Sequence, residues 1–293
     1  MILYDFHHMI KVFVKPGKGL IQKGYDEVII IIGIINSERI RFLVLGVLTT
    51  ITSLQESFGR YFLFFCSLFL LFSCRLEHEP GNGLIQKGYD EVIKRRLKVL
   101  YLMKGTHIMT SNLNIEHPIN IIGAGRDQTF VKGGGFDIRG TKEEGKRVDM
   151  QGMTIKGSSG NGLLNDSGLT FLCKDMTFTQ CDCGGVWARN TRGRLINCVI
   201  TQCYYSGILC WENALIELKG SQTKVDGNVT SGYSDGYGLK TYHTSSIIHL
   251  LFPLTKESVS TNNHNGQNYG CHVSNGASIG NTVKTVDSFE KTP

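Results

Sequence analysis

Proline is scarce, five residues in 293, against 35 glycines. That balance excludes polyproline segments and collagen-like repeats. Glycine without proline suits tight corners between short strands better than disorder. Charge is modest and dispersed. Lysine and arginine total 31 against 25 acidic residues, giving a net charge of +6 without a dense basic stripe, so no nucleic-acid partner is expected. The nine cysteines include no C-x-x-C pair, and the histidines show neither H-x-H nor H-E-x-x-H spacing, so neither a metal centre nor a cofactor is expected. No apolar run reaches the roughly 18 residues that a straightforward membrane span needs. Residues 42–55 and 61–74 are free of charge over only 14 residues each.

The N-terminal third contains a duplication. Residues 19–29 read GLIQKGYDEVI, and residues 83–93 repeat the same eleven letters, with Pro16-Gly17 matched by Pro80-Gly81. Structural repeats drift, so an unchanged copy points to a recent duplication or a retained intervening stretch. Residues 1–94 are therefore expected to form a segment of doubtful, irregular or helical fold. A membrane-inserted hairpin within 28–74 is the alternative for its apolar runs. A signal peptide is not expected, because Asp5, His7 and His8 precede the first apolar run. Unpaired cysteines lean the location toward a reducing, intracellular compartment. Residues 88–100 have helical spacing, with Val92, Ile93 and Leu97 on one side, and suit a short amphipathic cap on the domain that follows.

Over residues 95–293 the chain repeats. A glycine followed by an apolar residue recurs at Gly162, Gly185, Gly207, Gly238 and Gly270, in steps of 23, 22, 31 and 32 residues. A second marker keeps the beat: IKGS at 155–158, FTQC at 178–181 and ITQC at 200–203. Units this short cannot bury a core alone, so they must stack. Alternation then assigns faces. Leu163, Val186, Ile208, Leu239 and Cys271 form one inward file, and Asn165, Ala188, Cys210, Thr241 and Val273 another. Met153, Met176 and Cys198 form a further inward file, beside Ile155, Phe178 and Ile200. Cys181 and Cys203 hold equivalent places and read as small buried apolar residues. Outward files are Leu164, Trp187, Leu209, Lys240, His272 and Asp166, Arg189, Trp211, Tyr242, Ser274.

The run KGTH…LNIEHPINIIGAGRDQTFVKGGGFDIRG at 104–140 resembles the opening coils of the right-handed parallel β-helix (pectin lyase-like) family. The resemblance covers residues 95–290 and implies an all-β right-handed solenoid of about seven coils. It is poorly specific for activity, because that family includes lyases, hydrolases, epimerases and non-enzymatic binding modules. The Gly-His-Gly and paired-aspartate signatures of the polygalacturonase branch, and the R-x-P-x-x-R of pectate lyases, are absent from this chain.

Both tryptophans fall on one outward face. Trp187, Arg189, Trp211, Lys240 and Tyr242 are therefore the candidate ligand-binding residues, for flat aromatics beside cations and hydroxyls suit sugar rings. Tyr204, Tyr205, Tyr233 and Tyr237 lie in adjacent turns. Asp226-Gly227 and Asp235-Gly236 read as turns. The expected function is a non-catalytic binding or scaffold protein recognising a polysaccharide or a protein surface. The alternative is a polysaccharide lyase or glycoside hydrolase with a divergent site; a purely structural coil is a third reading. A cluster of carboxylates and cations on one groove would favour the enzyme.

Overall fold

The computed structural model describes residues 10–16, 25–35, 41–51, 76–78, 83–141, 146–243, 245–272 and 282–287. The chain divides into two compact units, Met1–Glu77 and His78–Pro293. The first unit contains a three-stranded antiparallel sheet, Ile10–Pro16, Tyr25–Ile35 and Arg41–Ile51, in chain order. These stretches were expected to be irregular or helical. Strands form instead because the aliphatic run 28–35 is rich in β-branched isoleucine, which loses little side-chain freedom in extended backbone. The apolar run 61–72 lies outside the described residues. Among the described residues no helix is long and apolar enough to cross a membrane.

The second unit is the expected all-β right-handed parallel solenoid. Its strands fall into three parallel sheets. Sheet I has eight solenoid strands, from Val99–Leu102 to Val283–Val286. Sheet II, seven-stranded, runs from Gly105–Ile108 to Ser260–Thr261, and sheet III, also seven-stranded, from Leu113–Ile115 to Tyr269–His272. The coil count roughly matches that read from the repeats. Met153, Met176, Cys198, Ile155, Phe178 and Ile200 are all fully buried, so both files assigned to sheet II line the core. So are Leu163, Val186, Ile208 and Leu239 of sheet III.

The cap helix spans Leu84–Lys94, somewhat before the expected 88–100. It buries Ile85, Tyr89 and Val92, and the Glu116 amide donates to the Tyr89 hydroxyl at 3.0 Å. The helix stops because Arg96 adopts φ 56° and Val99–Leu102 goes into sheet I, where alternate residues Leu100 and Leu102 enter the core.

The second repeat marker turns out to be a corner. Gly157, Gln180, Gln202, Gly227 and Asn262 have φ of 61°, 55°, 56°, 62° and 52°, a left-handed residue in five successive bends from sheet II to sheet III. The next residue points into the core in these five coils: Ser158, Cys181, Cys203, Asn228 and Asn263, all buried. Cys181 and Cys203 are free thiols, as their equivalence suggested. The asparagines continue the file by bonding along the axis. Asn228 accepts from the Cys203 amide at 3.1 Å, and Asn263 accepts from the Asn228 amide at 2.9 Å.

One expected register is corrected. Aligning on Gly270 pairs His272 with Lys240, whereas the structure pairs Lys240 with Gly270 and Tyr242 with His272. The place held by Gly238 in the preceding coil belongs to Asn268, whose carbonyl accepts from the Leu239 amide at 2.9 Å. Gly270 is glycine for another reason: a Cβ there would lie 2.4 Å from the Tyr237 ring. This two-residue shift moves Cys271 to the file of Thr241 and carries His272 onto Tyr242.

Candidate functional site

The longer step from Gly207 to Gly238 supplies a loop, residues 227–238, between the sheet II strand Lys224–Asp226 and the sheet III strand Leu239–Tyr242. Two tight turns shape it, with the Gly232 amide on Val229 O and the Gly236 amide on Tyr233 O, each at 3.0 Å. The loop carries Asp235 to the outer side of sheet III, where Lys240 points outward beneath it.

Lys240 is fully buried. Its ammonium donates to the Tyr205 hydroxyl, to the Asp235 carbonyl at 2.6 Å and to Asp235 Oδ2 at 2.7 Å, so all three N–H groups are used. It also lies 4.7 Å from the Tyr205 ring centre and 4.8 Å from that of Tyr242. A charge so enclosed needs this complete shell, because an isolated ammonium would be strongly disfavoured in the interior. Burial draws the Lys240 pKa down, and the bond to Asp235 opposes that shift.

Asp235 is the hub. Oδ2 accepts from Lys240 and from the Tyr205 hydroxyl at 2.9 Å, and Oδ1 lies 3.1 Å from His272 Nδ1. Burial alone would raise its pKa, but the hydrogen bonds from Lys240 and Tyr205 outweigh burial and hold the carboxyl below its ordinary value. The Tyr205 hydroxyl is pushed well up by burial and by its bond to Asp235. An ionised carboxylate only accepts hydrogen bonds, so His272 must carry its proton on Nδ1 when neutral, leaving the Nε2 lone pair free. The Asp235 and His272 side chains are 42% and 40% exposed. The pair is thus an oriented imidazole at an open edge, with its carboxylate held from behind by a buried cation.

The aromatic residues form a continuous pile along the axis. Trp187 and Trp211 stack at 5.9 Å, Trp211 and Tyr242 at 5.3 Å, and Tyr242 and His272 at 4.4 Å. Arg189 covers Trp211 at 5.3 Å and pairs with Glu212 at 2.8 Å and Asp166 at 3.5 Å. Because the coils stack in this direction, the inner ring faces cover one another. The pile therefore presents edges more than flat platforms to solvent. Both indole nitrogens are buried without a hydrogen-bond partner. The loop beside this face exposes Tyr233, which packs edge to face on the exposed Tyr204 at 6.1 Å; they are 58% and 48% accessible.

All five candidate binding residues, Trp187, Arg189, Trp211, Lys240 and Tyr242, lie on this side of sheet III. Lys240 is enclosed and cannot touch a ligand in this arrangement; Trp187, Arg189, Trp211 and Tyr242 are half-buried. The reading of the sequence missed the roles of Tyr205, Asp235 and His272. Asp235-Gly236 looks like an ordinary turn, and His272 was displaced by the register shift. The available signal was the nine-residue excess of the 31-residue step over its predecessor, six residues of which fall between the sheet II and sheet III strands. Asp226 does serve its turn, accepting from Thr261 at 2.6 Å and Asn262 at 2.8 Å. His249 is buried on sheet I, away from these residues in the chain's winding.

No protein-family model matches the chain, and no curated protein matches it in sequence. Among solved structures it is similar to the A-module of a mannuronan C-5 epimerase from Azotobacter vinelandii, at 14% identity and a TM-score of 0.44. The match covers 57% of this chain and 50% of that one, so the chain spans about half of the structure it resembles.

Proposed function

We propose that this β-helix protein takes a polysaccharide along the outer side of sheet III, with the Asp235–His272 pair acting as a general base on the bound sugar. One observation carries the reading. A single carboxylate collects a buried ammonium, a tyrosine hydroxyl and a half-exposed imidazole within 3.1 Å, beside an aromatic pile. Carboxylate-oriented imidazoles with a free Nε2 are suited to removing protons from a hydroxyl, a water or an activated C–H. Lys240 and Tyr205 act here as positioning residues, and His272 is the group placed to meet substrate. A binding module without turnover is the second reading, favoured by the length of the aromatic pile and by the exposed Tyr204 and Tyr233.

The test uses the full chain with a panel of polysaccharides, following new reducing ends and ultraviolet-absorbing unsaturated ends. Hydrolysis yields the first alone and elimination yields both. His272→Gln should abolish turnover while retaining affinity. Turnover unchanged in that variant would refute the base assignment, and binding without turnover in the wild type would establish the second reading.

A further inference from the structure

Resting on that proposed polysaccharide site, we infer that its ligand is an uncharged sugar chain and not a polyuronate or other polyanion. The argument is one of charge already committed. Among the described residues, the strands of sheet III, with the residue that follows each, carry three permanent cations facing outward, Arg139, Arg189 and Lys240. Each is bound to carboxylate: Arg139 to Asp137 at 2.6 Å, Arg189 to Glu212 and Asp166, and Lys240 to Asp235. Four carboxylates therefore face three cations, leaving one negative charge in excess with His272 neutral. Lys240, fully buried with three acceptors, has no donor left to offer. At the margins, exposed Glu116 and Asp182 are matched by exposed Lys132 and Arg192. The chain as a whole is +6, so its basic residues lie mainly elsewhere.

A polyanion would bring negative charge to a face that, among the described residues, has more carboxylates than permanent cations and has each of those cations already paired. The other groups that remain available are the Tyr204 and Tyr233 rings, the exposed edges of the pile and the His272 imidazole. These suit the C–H faces and hydroxyls of neutral sugars.

Affinity electrophoresis with matched probes tests this: hydroxyethyl cellulose against carboxymethyl cellulose, and fully methyl-esterified against de-esterified polygalacturonate, with chitosan as the cationic arm. Each is run at low and high salt. The inference expects retardation by at least one uncharged member, shifting by no more than about twofold with salt, and none by its anionic counterpart. It expects Asp166→Asn with Glu212→Gln, which releases Arg189, to raise affinity for the anionic member by about tenfold. Preferential, salt-sensitive binding of an anionic probe, or of chitosan, overturns the inference and leaves the polysaccharide reading standing. Failure of every probe to bind overturns both.

Discussion

Replacing Lys240 with methionine keeps most of the side-chain volume and removes the ammonium. Three acceptors lose their donor: the Tyr205 hydroxyl, the Asp235 carbonyl and Asp235 Oδ2. Removing one partner of a desolvated ion pair costs about 3–5 kcal/mol when the other stays buried. Here Asp235 is 42% exposed and can turn to water, while Tyr205 still donates to it, so a net loss of about 2 kcal/mol is expected. That is well below the ~5–15 kcal/mol that holds a typical domain together, so the solenoid survives. The loss falls on the loop 227–238, which Lys240 ties to sheet III. Native-state hydrogen exchange reads it directly at the Gly232 and Gly236 amides, whose acceptors lie within the loop. Exchange there should accelerate about thirtyfold, since ~1.4 kcal/mol is a factor of ten. The core amide of Ile216 should keep its protection. Equal acceleration at Ile216, or no change in the loop, would refute the view that this lysine is a local fastener.

Acid should act on the same fastener. Asp235 titrates lower in the folded state than its ordinary value. Its contribution is therefore present above the ordinary carboxylate pKa and lost as pH falls through the lowered one, and Asp235→Asn should remove that acid-dependent step from loop exchange. Ile208→Asp places an unpaired charge at a fully buried position between Val186 and Leu239, at a cost of about 5 kcal/mol or more, so strand-like far-ultraviolet dichroism should collapse. Ile208→Val, the control, should cost only about 0.5–1.5 kcal/mol, and a folded aspartate variant would sink the stacked-core assignment. Of the seven described cysteines, only half-buried Cys183 and Cys271 should react with a thiol reagent in the native protein. Burial pushes Cys198 up to about 12 and raises Cys173 as well, so rapid native labelling of either, read by peptide mass, would contradict their placement.

Much of the solenoid was legible because in-register stacking imposes the same environment on each file. Leu163, Val186, Ile208 and Leu239 share one requirement, and any apolar residue of suitable size meets it. The corner required only a residue that tolerates positive φ, followed by a small one that fits inside, and the chain reuses TQC before passing to DGN and TNN. Legibility failed in the final coil, where a glycine serving a side-chain contact with Tyr237 imitated the glycine that serves the corner. Residues 89–93 show a different limit. The same letters, YDEVI, lie in the strand Tyr25–Ile35 at 25–29 and in the helix Leu84–Lys94 at 89–93. In the first copy an isoleucine-rich run follows and pairs on both sides. In the second, Lys94-Arg95-Arg96 follows, and Ile85, Tyr89 and Val92 share the buried side of the helix. Five residues carry too little propensity to resist either setting.

The site was less legible than the fold because it is made by departures from the repeat. A regular coil presents its outward residues to solvent, and by that rule Lys240 should be an exposed cation ready for a ligand. The extra residues before Gly238 invert the rule by laying Asp235 over it, converting a binding candidate into the support of a carboxylate–imidazole pair. The same departure changes what the tryptophans are for. Once Tyr242 and His272 continue the pile, Trp187 and Trp211 stiffen a column that ends on the imidazole, so their removal should disturb His272 before it removes a sugar platform. Trp211→Ala therefore separates the two roles. If the pile positions His272, turnover falls by a larger factor than affinity, and Trp211→Phe, which restores a ring, recovers most of it. If affinity alone falls, the rings contact the ligand directly and the pile is a binding surface after all.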